Sequence, residues 1–269
     1  MKFKEIFFGP YSTTLQVFIY AALILTLWAI EGAVLIPSVK DKWRHTSNNA
    51  LFVITGLPIQ LFMSVFVLIL SAWAIRDHFG LLNLLPHPNS IFVKFIIGFF
   101  LLDFCEYLYH VIMHKVKTLW RFHIVHHTDQ QLDVSTTVRE HPGETFIRMC
   151  FLLIWVFLLG ASFELLLMRQ TLQTVANITS HTSFRFPEKV EKWVGLVFIT
   201  PNIHQVHHHY ELPHTDCNYG DVLSIWDRLF GTYSKLDAGD TVFGIDTHMD
   251  KKFSESFVSV IKIPFKFKR

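Results

Sequence analysis

HVIMHKVKTLWRFHIVHH, residues 110–127, decides how the rest of the chain is read. It holds an HxxxH pair, His110 and His114, and nine residues later an HxxHH cluster, His123, His126 and His127. A second HxxHH, His204, His207 and His208, stands about eighty residues downstream. On a helix, residues three and four apart share a face, so each cluster turns its imidazoles one way, with ~6 Å of rise across an i,i+4 pair. Imidazole nitrogen suits iron, zinc, copper and nickel, whereas magnesium and calcium prefer oxygen. A lone HxxxH is usually a packing or capping pair. Eight histidines at helical spacing are costly to bury unless something coordinates them, and they point to metal.

Working outward, the composition indicates a bilayer. Of 269 residues, 51% are hydrophobic, 27 are Phe, and the mean hydropathy is +0.34. Cys105, Cys150 and Cys217 form no CxxC, which argues against a disulfide framework or a zinc ribbon. A net charge of +2, with its basic residues scattered, argues against nucleic acid as a partner. The first apolar run is too long for a signal-peptide core and lacks an A-x-A site, so it reads as a retained span.

Leu15–Ile36, Leu51–Ile75 and Ile91 to about Met113 are each long enough to cross a hydrocarbon core of ~30 Å. Glu31 near the end of the first run is either a functional acid or an end residue reaching the interface. Along the third run Asp103, Glu106 or Tyr107, His110 and His114 form one polar stripe. Thr145–Thr179 would be ~50 Å long as one helix, too long for one crossing. Gly160-Ala161-Ser162 therefore predicts a hairpin, Phe146–Leu159 going in and Phe163–Ser180 coming back, which brings His181 to the side of the other clusters.

The distribution of Lys and Arg places that side in the cytoplasm and the N-terminus outside. Arg185–Ile199 reads as an amphipathic stretch on the membrane surface. Asp221–Phe230 reads as a short helix stopped by Gly231, and the final FVSVIKIPFKFKR as an edge strand or interfacial tail. His45, His78, His87 and His248 have no partner at metal spacing and read as interfacial or surface residues. The expected organisation is a two-span region over 1–90, a catalytic domain over 91–235 and a tail over 236–269.

A structural zinc needs four ligands and a catalytic zinc three plus water. With His181 the candidates number nine, and two metals account for them better. Imidazoles are neutral, so carboxylates are expected to hold their outer N–H groups: Asp103, Glu106, Asp129, Asp133, Asp221 and Asp227 are candidates. Asn177, one turn before His181, is a further candidate, through water or through helix packing.

HVIMH, RFHIVHH, VREHPGE, FITPNIHQVHH and NYGDVLSIWDRLFGTY, in that order over residues 95–235, resemble the fatty acid hydroxylase or sterol desaturase superfamily of membrane di-iron oxygenases. The resemblance implies an all-α integral membrane protein whose cytosolic His-rich cap holds two iron ions, O2 as co-substrate, and an external electron donor. It implies ligand roles for His110, His114, His123, His126, His127, His204, His207 and His208. His181 matches a position where relatives carry a further histidine in an HxN context, with Ser183 here in place of Asn. His141, before Pro142, is either a support for the metal site or a helix cap.

The expected reaction is hydroxylation or desaturation of a lipid C–H bond. No flavin or dinucleotide fingerprint and no iron–sulfur arrangement is present, so a ferredoxin or b-type cytochrome with its reductase is implied as donor. A carotenoid hydroxylase is the alternative within the class, and a metal transporter or storage protein the alternative outside it.

Overall fold

The computed structural model describes residues 12–34, 38–85 and 91–266, and its regular structure is helical, with only two isolated bridges, Phe198 with Leu223 and His209 with Phe243, among the described residues. Helix α1 is Ser12–Val34, α2 Val39–Arg76, α3 Ile91–Lys115 and α4 Lys117–His127. The hairpin is α5, Pro142–Leu159, and α6, Phe163–Ser180; the short helices α7, Glu188–Val194, α8, Pro201–His207, and α9, Ile225–Phe230, follow.

Among the described residues, three segments are long and apolar enough to cross a membrane, Lys40–Leu84, Phe92–Lys115 and Pro142–Leu159, while the apolar part of α1, Val17–Ala33, is shorter. Side chains such as Phe62 on α2, Phe92 on α3 and Ile154 on α5 stand exposed, as expected where lipid replaces water. The return limb α6 is less apolar than expected, because Glu164, Arg169, Gln170 and Gln173 interrupt it, with Arg169 and Gln173 buried. At 38 residues, about 57 Å, α2 is far longer than one crossing needs, and its first turns project beyond the apolar part.

The hairpin turn is where the sequence placed it. Gly160 ends α5 in the left-handed region at φ 66°, and the Ser162 hydroxyl caps α6 by accepting from the Leu165 N–H. The turn packs on the Phe79–Gly80 bend that follows α2, so closely that a Cβ on Gly160 would lie 2.0 Å from the Phe79 carbonyl oxygen. Below it, Met63 and Val67 of α2 meet Met149 and Val156 of α5 in one apolar cluster. Leu102 and Cys105 of α3 meet Leu159 and Leu165 in another.

The projecting start of α2 changes two readings. Glu31 is not at an interface: it is fully buried, accepting from Lys42 Nζ at 3.1 Å and from the Ser183 N–H and hydroxyl at 2.8 and 3.0 Å. His45 is not a surface residue: it is buried, with Nε2 2.8 Å from Asp129 and Nδ1 3.3 Å from Asp133. Lys42 also reaches Asp133 at 3.3 Å, and Arg139 donates to Asn49, Thr128 and the Ser254 carbonyl. Although burial favours its neutral form, the charges of His45 and Arg139 hold Asp129 well below the usual carboxylate range.

Of the other isolated histidines, His78 is exposed, His248 half-buried, and His87 outside the described residues. The described part of the C-terminal segment, up to residue 266, is not a strand. It forms the turns Phe257–Val260 and Ile263–Lys266, whose Val260 and Ile263 join a core with Phe52, Ile124, Val125 and Ile245. Ordinary apolar burial outweighs the alternating pattern there. The helix expected from Asp221 begins at Ile225 and stops at Gly231 with φ 72°, and the amphipathic stretch contains a helix only over Glu188–Val194.

Because an L side chain at Gly160 meets both backbone strain and a carbonyl, Gly160→Ala should destabilise the hairpin by more than about 1 kcal/mol. A thermal melt of the detergent-solubilised protein, with Ala72→Ser on α2 as a control, reads this as a lowered midpoint for the glycine variant alone.

Candidate metal centre

All nine candidate imidazoles meet at one end of the helices. His110 and His114 come from the last turns of α3, His123, His126 and His127 from α4, His181 from the C-cap of α6, and His204, His207 and His208 from α8 and its end. They sort into two groups, His110, His114, His123, His127 and His207, and His126, His181, His204 and His208; within each group one nitrogen per ring lies within 4.8 Å of all the others. The groups adjoin, since the ring centres of His127 and His208 are 4.7 Å apart. Local rules set the angles: a break at Val116 turns α4 back on α3, while Thr200 caps α8 and Pro201 fills its first turn.

The outer nitrogens define the tautomers. Nδ1 of His110 donates to the Tyr219 carbonyl at 2.9 Å, Nδ1 of His126 to that of Arg139 at 3.2 Å, Nδ1 of His181 to that of Asn177 at 2.8 Å, and Nδ1 of His207 to that of Cys217 at 2.6 Å. His123 Nδ1 donates to Glu144 at 2.6 Å, and His114 Nδ1 to Asp216 at 3.2 Å. Each of these rings then presents Nε2 as a bare lone pair. Yet His110 and His123 face each other Nε2 to Nε2 at 3.1 Å, and His126 and His181 at 3.0 Å. Two acceptors at that distance repel unless a cation lies beside them. Nε2 of His114 and of His207, and both nitrogens of His127, are buried without any hydrogen-bond partner. Burial pushes His181 down to about 4 and His207 to about 3, so both are neutral at pH 7. The donor set, all imidazole nitrogen and mostly buried, fits two borderline transition-metal ions.

A cavity of about 90 Å³ opens beside both groups, lined by His110, His123, His126, His181 and His204 on one side and by Glu106, Glu140, Arg148 and Asp221 on the other. A groove of about 310 Å³ between α2, α5 and α6 shares Glu106, Thr137, Glu140, Arg148 and Asn177 with it and runs out past Phe52, Leu57 and Leu152. Burial, aided by the charge of Glu106, pushes the Asp221 carboxyl up to about 7, against the opposing pull of Arg169.

The family model for fatty acid hydroxylase matches residues 95–232, a little over half of the chain. The chain belongs to the fatty acid hydroxylase family. Among curated proteins it is 27% identical to an ornithine lipid hydroxylase of Rhizobium tropici over 76% of this chain and 58% of that protein. It is 26% identical to an alkylglycerol monooxygenase of Caenorhabditis elegans over 89% and 48%, and 29% identical to the human cholesterol 25-hydroxylase over 64% and 62%. The chain thus spans about half the length of several relatives it matches. No solved structure matches it.

Within the region shared with the fatty acid hydroxylase family, the groups that brace the histidines differ from those expected. Asp103 bonds the Val222 N–H and the Trp226 indole, and Glu106 pairs with Arg148 and Arg169, so neither touches an imidazole. Asp129 and Asp133 serve His45, and Asp221 accepts from the Asn177 amide. Asp227 acts at one remove: it accepts from the Tyr219 and Gly220 N–H groups and so shapes the loop whose Tyr219 carbonyl takes the His110 proton. Asn177 contributes through its carbonyl to His181. His141 is a cap, accepting from the Gly143 N–H, with Nε2 on the Ile261 carbonyl. His209 and His214 lie outside both groups, the former accepting from the Val242 N–H. Sequence reasoning missed the two described carboxylates that touch imidazoles of the two groups, Glu144 and Asp216. Glu144 sat inside VREHPGE and was legible; Asp216 is 102 positions from His114 and carried no signal.

Unfolded histidines titrate near ~6.5, whereas His181 and His207 in the folded chain resist protonation down to about 4 and about 3. Above pH ~6.5 neither state binds these protons and stability is at its full value; below it the unfolded chain binds protons that the folded chain cannot, so stability falls with pH toward about 4. Chelator-treated protein should therefore melt at progressively lower temperature from pH 7.5 to pH 5 in detergent.

Proposed function

We propose that this chain is a membrane lipid hydroxylase holding two iron ions, one on His110, His114, His123, His127 and His207 and the other on His126, His181, His204 and His208. The observation that carries the reading is the pairing of bare Nε2 lone pairs at 3.0 and 3.1 Å inside two adjoining groups. Bound iron would supply activation of O2 and abstraction of hydrogen from an unactivated carbon. The overall balance is R–H + O2 + 2 e⁻ + 2 H⁺ → R–OH + H2O, with electrons from an external ferredoxin or b-type cytochrome. The relatives are named as hydroxylases and monooxygenases of an ornithine lipid, an alkylglycerol and cholesterol, which favours hydroxylation over desaturation and favours neither the carotenoid nor the metal-carrier alternative.

The residues of this chain supply fixed orientation and a dry setting. Backbone carbonyls at Tyr219, Arg139, Asn177 and Cys217 hold the Nδ1 protons, so the inner nitrogens need not shed a proton to bind metal. Glu144 and Asp216 place negative charge behind the first group. Trp120 covers that group, with its ring 4.7 Å from His114 and 5.3 Å from His127. A lipid reaches the cavity sideways, through the groove between α2, α5 and α6, without leaving the bilayer. The positive-inside tendency favours the cytoplasmic face for the metals, within reach of the external donor.

Purified protein should contain two iron atoms per chain and incorporate one atom of ¹⁸O from ¹⁸O2 into a membrane lipid. His126→Ala should lose about half of the iron and on the order of 100-fold or more in turnover. Zinc in place of iron, or label arriving from H2¹⁸O, would exclude the reading.

A further inference from the structure

One face of α6 is polar where a membrane hairpin is expected to be apolar. Gln170, Gln173, Thr174 and Asn177 stand at i, i+3, i+4 and i+7, a single stripe along the helix, and all four line the groove of about 310 Å³ between α2, α5 and α6. The walls opposite are largely apolar, with Val53 and Leu57 of α2 and Met149 and Leu152 of α5. Hydrogen-bonding side chains in such a setting are costly unless they meet partners, so the stripe calls for a function.

Two of its amides are engaged within the protein. Gln170 donates to the Thr174 hydroxyl at 3.1 Å, and Asn177 to Asp221 at 3.0 Å. Gln173 is not. It is 4% exposed, it lines the groove, and its amide meets no hydrogen-bond partner among the described residues. Beside it, the Thr174 hydroxyl accepts from Gln170 and keeps a proton to donate.

Charge does not choose the occupant. The ionised groups of the groove are two acids, Glu106 and Glu140, and two guanidiniums, Arg148 and Arg169, which pair with one another, and none of the nine histidines lines it. The free capacity facing the apolar walls is uncharged and rich in donors: the amide N–H groups of Gln173 and the Thr174 hydroxyl. The occupant that matches it carries an uncharged acceptor between two apolar stretches. An ester or amide carbonyl inside a hydrocarbon chain has that character. A plain hydrocarbon would leave Gln173 bare, and an ionised group would give up hydration without finding a free countercharge.

We propose that the groove holds a lipid by an ester or amide linkage within its chain, the carbonyl accepting a hydrogen bond from Gln173. Gln173 then sets the register of the chain. It stands about 12 Å of helix rise before His181, so the linkage is kept at a fixed distance from the carbon that reaches the histidines. That the held lipid is oxidised rests on the hydroxylase reading; recognition of the linkage does not.

The test uses iron-loaded protein in detergent, without any reductant, and five single chains of equal length that differ in their polar group: N-octyloctanamide, octyl octanoate, heptadecane, dioctylammonium and heptadecanoate. Binding is read by calorimetry. The amide and the ester should each bind about tenfold tighter than heptadecane, as one hydrogen bond made inside an apolar groove allows. In Gln173→Leu that margin should vanish, while heptadecane affinity is retained and iron content is unchanged. An amide and ester no better than heptadecane, tightest binding of either ionised chain, or a margin that survives in Gln173→Leu would overturn the proposal. If the variant does not fold, the ranking on the native protein decides alone. Preference for the linkage without O2-dependent oxidation of any lipid would remove the hydroxylase reading and leave this one; oxidation of lipids with no such preference would do the reverse.

Discussion

Lone pairs that face one another across about 3 Å, on rings removed from water, are the constraint that the rest of the molecule has to meet. Each imidazole must be neutral, must turn its bare nitrogen inward, and must be prevented from rotating away. The fold meets all three demands with main-chain carbonyls more than with side chains. The carbonyls at Tyr219, Arg139 and Cys217 come from irregular segments, where they are not committed to a helix ladder and are free to accept an imidazole proton. Asn177 meets the same need at a helix end, its carbonyl accepting from the His181 ring as well as from the His181 N–H and the Ser180 and Thr137 hydroxyls.

That arrangement explains why loops over 129–139 and 214–221 are so heavily tied. The Arg139 guanidinium is 1% exposed and makes hydrogen bonds to Val125, Asn49, Thr128 and Ser254. Its own carbonyl carries the His126 proton, so fixing the side chain fixes the acceptor. Asp227 does the same for the Tyr219 loop. Buried charge of this kind adds little net stability, but removing one partner is strongly destabilising, and so it locks a geometry once formed.

The helices and the gathering of histidines were legible because both rest on short-range patterns. HxxxH and HxxHH are statements about one helix face, and Gly160-Ala161-Ser162 is a turn with local chemistry. What escaped depends on contacts across long separations. Nothing near His45 indicates that Asp129 and Asp133 will meet it, and Glu31 looked like an end-of-span acid because its partners Lys42 and Ser183 are distant in sequence or hidden beyond an apolar run. The expectation that carboxylates would brace the imidazoles held for Glu144 and Asp216 and failed for the six acids named from sequence. A main-chain carbonyl is present at every position and therefore leaves no mark in a sequence.

The cluster of Glu31, Lys42, His45 and Asn49 lies wholly before residue 95, where the match to the family model begins. Yet it grips Asp129, Asp133 and Ser183, the segments that flank two of the inward-facing rings. The stretch that the family model picks out is therefore smaller than the stretch that folds together. Excised at the bounds of that match, it would expose two bereft carboxylates and an open flank, so the matched segment is not by itself a unit of architecture.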